Sequence, residues 1–109
     1  MNFNVYTTEF FDKELKSLSK KYPSVKSDYK VLVDSLKEEP KQGHPLGKDC
    51  YKIRMAITSK GKGKSGGSRV ITCVKVLADS VFLLSIYDKG DKESISDKEI
   101  DELLNLTGL

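Results

Sequence analysis

At 109 residues and 12.2 kDa the chain has the size of one domain, spanning 1–109, with a single core and no second lobe to close over a substrate. Hydrophobic residues make up 38% and charged residues 32%, with 3 Pro and 8 Gly, a composition that excludes collagen, a coiled coil and a disordered chain. No run nears the ~20 apolar residues of a membrane span, and Met1 to Val5 has neither the basic nor the apolar region of a leader, so a cytosolic protein with no membrane partner is expected.

Cys50 and Cys73 are too few for a disulfide framework, and no Cys/His spacing suits zinc; reduced structural thiols and no metal or cofactor are expected. The net charge of +3 hides an asymmetry. Lys41 to Lys75 carries nine basic residues against Asp49 alone, +8, which leaves −5 for the rest. Solvating charges normally mix both signs, so a one-signed segment of this length points to a polyanion such as nucleic acid, or to a strongly acidic protein.

In chain order, Phe3 to Tyr6 reads as a short strand. Thr7 or Thr8 followed by Glu9 offers an N-cap and a first-turn acid for a helix whose apolar stripe is Phe11, Leu15, Leu18 and Tyr22. Pro23 ends it. A second helix is predicted from about Ser24 to Glu38, with Val25, Tyr29, Leu32, Val33 and Leu36 on one face and Pro40 as its stop. The pair should form an antiparallel hairpin lying on a sheet.

Tyr51 to Ile57 alternates with period 2, so Ile53, Met55 and Ile57 share one face and Lys52 and Arg54 the other. Thr58 to Ser68 reads as a Lys/Gly loop and Arg69 to Leu77 as the returning strand of a hairpin. Val81 to Tyr87 is almost continuously apolar, as in a central or two-sided strand. Ser96-Asp97-Lys98-Glu99 matches a capping box, with Ile95 and Ile100 placed as a hydrophobic staple, so a last helix begins at Asp97 and buries Ile100, Leu103 and Leu104. The expected class is α+β, in the order β-α-α-β-β-β-α. Its helices should pack on one face of a small, mostly antiparallel sheet, leaving the other face open with Lys52 and Arg54 on it.

Three familiar chemistries fail on these residues. Gly63-Lys64-Ser65 resembles the end of a phosphate-binding P-loop, but the motif's first Gly falls on Thr58 and a β-branched strand follows instead of a helix. Asp88, Asp91, Glu93 and Asp97 are interrupted by Lys89 and Lys92 and lack EF-hand offsets. His44, the sole histidine, sits between Gly43 and Pro45 in a predicted turn, so a paired-histidine nuclease is ruled out. What remains is a basic set: Lys52 and Arg54 on the first hairpin strand, Lys60, Lys62 and Lys64 in its loop, Arg69 on the return, and Lys89 and Lys92 entering from the side. Arg forks grip phosphates bidentately, and glycine-spaced lysines can follow a backbone.

Cys50-Tyr51-Lys52-Ile53-Arg54-Met55, the Lys/Gly-rich hairpin ending Gly67-Ser68-Arg69-Val70-Ile71, and Leu83-Leu84-Ser85-Ile86-Tyr87-Asp88-Lys89 together resemble the toxins of the RelE/ParE superfamily. The long basic hairpin is most similar to the HigB-like branch. The resemblance covers essentially the whole chain. It implies a RelE-like fold and the toxin of a type II toxin-antitoxin pair, neutralised by a cognate antitoxin. Such a toxin enters the A site of the small ribosomal subunit and cuts mRNA without metal, through attack of the nucleotide's 2′-hydroxyl on the adjacent phosphate. By similarity Lys52, Arg54 and Arg69 face the scissile phosphate and Lys89 matches a basic residue after the last strand, while Lys60, Lys62, Lys64 and Lys92 of the basic set are expected to hold RNA. Ser94-Ile95-Ser96 offers no counterpart to the family's C-terminal tyrosine, and Tyr87 is the nearest substitute. A ParE-like topoisomerase inhibitor, or an RNA-binding relative without activity, is the alternative; the cluster of Lys52, Arg54 and Arg69 favours cleavage.

Overall fold

In a computed structural model, residues 2–92 and 94–109 are described; Met1 and Glu93, the latter one of the acids in the rejected calcium loop, lie outside the described residues. Among the described residues the elements are β1 (Asn4–Thr7), α1 (Glu9–Lys21), α2 (Val25–Glu38), β2 (His44–Gly47), β3 (Cys50–Met55), β4 (Ser68–Lys75), β5 (Ser80–Asp88) and α3 (Asp97–Thr107), with short 3-10 turns at Thr58–Lys60 and Val76–Ala78. The sheet order is β1-β5-β4-β3-β2; β1 runs parallel to β5 and every other pair is antiparallel.

Local signals place the helices. The Thr8 hydroxyl accepts the Phe11 N–H at 3.0 Å, which occupies one of the donors that a helix start leaves unpaired. At α3 the capping box closes in both directions between Ser96 and Glu99, and Gly108 ends the helix in the left-handed conformation (φ 72°). Phe11, Leu18, Val25, Leu32 and Leu36 of the helical hairpin pack with Ile53, Met55, Val70, Val74, Val81, Leu83 and Ile86 in one core layer. Each such large side chain contributes about 1.5–3 kcal/mol through burial.

Two expectations need correction. α3 does not join the other helices: Ile100 and Leu103 pack with Cys50, Ile71, Cys73, Leu84 and Tyr87, the residues of the opposite sheet face. That face is therefore half-covered, and β4 is apolar on both sides because both sides are roofed. The segment at His44, predicted as a turn, is the edge strand β2, with His44 opposite Lys52 and Pro45 opposite Tyr51. Edge position is what allows a proline there, since no outer neighbour needs its missing N–H. Strand ends also move. β3 stops at Met55, and β4 stops at Lys75 before a turn in which Leu77 is fully exposed.

Candidate functional site

The ladder registers place Arg54 opposite Arg69, and Arg69 opposite Tyr87, so three residues form a row across β3, β4 and β5. Lys52 lies two residues along β3, on the same face as Arg54. The row depends on an irregularity. Ile71 pairs with Ser85 while Thr72 pairs with Leu83, so Leu84 is an extra residue on β5 that resets the phase and brings Tyr87 beside Arg69.

Members of the row sit in different environments. Arg54 is exposed, and among the described residues it has no acidic partner. Arg69 is only 4% exposed, contrary to the open position expected for it. Its guanidinium donates to the carbonyls of Lys64 (3.1 Å), Ser65 (3.3 Å) and Ser68 (3.1 Å), tying down the end of the Lys/Gly loop. Gly67 belongs to the same closure: a Cβ there would stand 2.4 Å from the Met55 carbonyl oxygen, so only glycine lets the loop approach β3 so closely.

Tyr87 is 9% exposed, and its hydroxyl is buried with no hydrogen-bond partner among the described residues. Burial raises its pKa, Arg69 pulls against that, and Glu14 adds to it. The result is a phenol that holds its proton at neutral pH. Lys92 lies 5.5 Å from the ring centroid and pairs with Glu99 of α3. Lys89 is half-buried, and its N–H donates to the Gly67 carbonyl at 3.1 Å.

Of the loop lysines, Lys62 and Lys64 are exposed and without acidic partners among the described residues. Lys60 is not a free loop cation. It closes the 3-10 turn after β3, and its ammonium meets Asp88 Oδ1 at 2.9 Å and lies 5.2 Å from the centre of the Tyr22 ring. Tyr22 donates to the other Asp88 oxygen at 3.0 Å. Burial alone would raise the Asp88 pKa; hydrogen bonds from Lys60, the Gly90 N–H and Tyr22 outweigh it and hold the carboxyl below its ordinary value. This cluster lies on the α1 side of the sheet, away from Arg54.

Sequence reading passed over Glu14. Its carboxylate accepts from the Ser85 hydroxyl (2.7 Å) and the Ile86 N–H (3.1 Å) where β5 has no further strand partner, and burial, the largest influence, raises its pKa. The available signal was a carboxylate set between Phe11, Leu15 and Leu18 of the apolar stripe.

A groove of about 830 Å³ opens beside the row, between α2 and the outer edge of β3. No helix among the described residues is long and apolar enough to cross a membrane. The family model described as the RelE toxin of the RelE / RelB toxin-antitoxin system matches residues 4–108. Solved structures agree in fold. The isolated Escherichia coli RelE toxin is 20% identical over 95% of this chain and 98% of its own, with a TM-score of 0.62. The toxin-antitoxin complex RelBE from E. coli matches at 24% identity, 79% and 95% coverage and 0.62. A RelBE complex from Mycobacterium tuberculosis matches at 16%, 81% and 92%, and 0.61. The chain therefore belongs to the RelE family of toxins of toxin-antitoxin systems.

Proposed function

We propose that this toxin is a ribosome-dependent mRNA endonuclease that cuts by attack of the substrate's own 2′-hydroxyl, and that an antitoxin protein neutralises it. The observation that carries this reading is the row of Arg54, Arg69 and Tyr87 with Lys52 beside it, in a chain of the RelE family. Attack on a phosphodiester requires that one proton leave the nucleophile, that added negative charge on phosphorus be offset, and that the leaving 5′-oxygen receive a proton.

Arg54 is the exposed fork suited to the phosphate oxygens. Arg69 supplies fixed positive charge beside Arg54 and holds the loop that carries Lys64. Tyr87 keeps its proton and has no acceptor among the described residues; because its hydroxyl is buried, donation to the leaving oxygen requires that RNA binding uncover it. Lys52, on the same strand face as Arg54, is the group assigned to take the nucleophile's proton, and Lys89 lies two residues beyond Tyr87.

Lys62 and Lys64 border the site and fit RNA docking, and Lys92 joins them because its pair with Glu99 is solvent-exposed; Lys60, held against the buried Asp88 carboxylate, drops out of that set. With ribosomes as the target, the place of action is the cytoplasm. The reading supposes no cofactor: cations and proton donors of the chain suffice for the chemistry.

Primer extension on an mRNA in a translating extract, with and without added ribosomes, tests this. Breaks that need ribosomes and leave 5′-hydroxyl ends support it. Intact mRNA alongside inhibited topoisomerase would replace it with the ParE-like alternative.

A further inference from the structure

Cys50 and Cys73 face each other across the β3–β4 ladder as free, buried thiols. The Val74 N–H donates to the Asp49 carbonyl at 2.8 Å, joining the residue after one cysteine to the residue before the other. That bond marks Cys50 and Cys73 as a pair that exchanges no main-chain hydrogen bonds of its own. At such pairs the Cα atoms stand about 4.5 Å apart and the side chains are closest. A disulfide spans Cα separations of about 4.4–6.8 Å, so the two sulfurs can join without parting the strands.

The thiols already share a hydrogen bond. For Cys73 that bond outweighs burial and, with Lys75 adding to it, holds the thiol down to about 7; the same bond and burial push Cys50 up. The Lys48 carbonyl, 3.5 Å from the Cys50 sulfur, is a second acceptor for the Cys50 S–H. Thiolate is the reacting form of cysteine, so Cys73 offers a nucleophile near neutral pH and Cys50 stands beside it to resolve the product. Ile71 and Leu84 pack around the pair, and Ile100 and Leu103 of α3 cover it. This shell excludes bulky or charged reagents and admits a small neutral one when the short C-terminal helix opens locally.

We propose that Cys50 and Cys73 are a redox modification site, oxidised by hydrogen peroxide to a cross-strand disulfide that clamps β3 to β4. The Cys73 thiolate attacks one peroxide oxygen, the O–O bond breaks, and the departing hydroxide takes up the proton that Cys73 released and leaves as water. Cys73 is then a sulfenic acid. The Cys50 sulfur attacks the Cys73 sulfur, the S–O bond breaks, and the hydroxyl leaves with the Cys50 proton as a second water. Two thiols and one peroxide thus give one disulfide and two waters, the sulfurs being oxidised and the peroxide reduced. Cys50, Lys52 and Arg54 share one face of β3, so the clamp ties the strand that carries the exposed fork to the strand that carries Arg69. It also closes the chain over residues 50–73, which include the Lys/Gly loop, and so restricts the unfolded state. The inference is independent of the nuclease reading, since it needs neither RNA nor ribosomes.

The test treats the full chain with a small excess of hydrogen peroxide at neutral pH and follows it by intact mass, peptide mapping and thermal melts. Expected are a monomer lighter by two hydrogen atoms, a linked pair of peptides carrying Cys50 and Cys73, a raised melting temperature, and reversal of all three by dithiothreitol. Cys50→Ala should instead accumulate a sulfenic acid on Cys73 that dimedone traps, whereas Cys73→Ala should leave Cys50 unreacted under the same conditions. Both side chains lie in the core, so peptide mapping of the wild-type chain decides the question if either variant fails to fold. Two thiols still titratable after peroxide treatment and denaturation, oxygen added to sulfur in place of hydrogen lost, a disulfide formed only between chains, or an internal disulfide that leaves the melting temperature unchanged or lowered would each overturn the proposal.

Discussion

Arg69 faces Arg54 directly across the β3–β4 ladder, yet one guanidinium is committed to three backbone carbonyls and the other is exposed. Like charges opposed on neighbouring strands are normally unfavourable. Here the carbonyl oxygens around Arg69 offset its charge, and Arg54 keeps its hydration until a ligand displaces it. The pair is therefore a fixed cation beside a free one, an arrangement suited to an anion that arrives from outside.

Truncating the two should have separable effects. Arg54→Ala should leave stability within about 0.5 kcal/mol of wild type and lower single-turnover cleavage by roughly 10²- to 10³-fold. Arg69→Ala should lower both. Losing hydrogen bonds from a buried charged group, with carbonyls left unpaired, costs about 1.5–3 kcal/mol. Thermal melts alongside cleavage on programmed ribosomes make the comparison; equal melting temperatures for the two variants would refute the difference in role.

Tyr87→Phe removes a buried hydroxyl that has no partner, so the fold should gain up to about 1 kcal/mol, because no hydrogen bond is lost. Cleavage should fall by about 10²-fold or more if the phenol gives its proton to the leaving oxygen. A variant that is more stable and fully active would reduce Tyr87 to a sheet residue.

Lys60 and Asp88 belong to the stability of the molecule. Asp88→Asn should destabilise by about 3 kcal/mol, since it leaves Lys60 without its counter-charge in a mostly buried site. The Asp88 carboxyl is held below its unfolded value, so its contribution is fully present above the ordinary carboxylate pKa of 3.8 and lost as pH falls through the lowered folded value. Urea melts from pH 6 downward should show wild type losing stability in acid more steeply than Asp88→Asn. Parallel curves would contradict the assignment.

Lys62 and Lys64 are the loop cations left for docking. Their double substitution by Ala should weaken ribosome binding, reduce its salt dependence by up to two phosphate contacts and leave melting unchanged. Lys60→Ala should do the reverse, lowering the melting temperature with little change in salt dependence. An effect of Lys60→Ala on docking alone would return that residue to the RNA-binding set.

Where the chain declares itself locally, its structure was legible. Thr8, Pro23, Pro40 and the Ser96–Glu99 box mark helix ends through bonds or clashes within a few residues, and the alternation of Lys52-Ile53-Arg54-Met55 sorts β3 onto its two faces. What escaped reading depends on distant partners. The stripe Ile100, Leu103 shows that α3 buries a face but not which side of the sheet receives it; the almost continuous apolar run of β5 is the sign that both of its sides are covered. Lys60 looks like a loop cation until Asp88, 28 residues away, is folded against it. Arg69 alternates as an outward residue would, and only closure of the loop over it makes it buried. The row itself rests on the register shift at Leu84, which no local pattern announces.

The claim at the centre of this account is that the toxin uses the 2′-hydroxyl of its RNA substrate, set against Arg54, Arg69 and Tyr87, to break the adjacent phosphodiester. The most direct test is cleavage on ribosomes of an mRNA carrying a single 2′-deoxy nucleotide at the mapped cut site. The account predicts that the break disappears at that position while an unmodified message is cut to 5′-hydroxyl and 2′,3′-cyclic phosphate ends. Cleavage of the deoxy message at the same position and rate would contradict it.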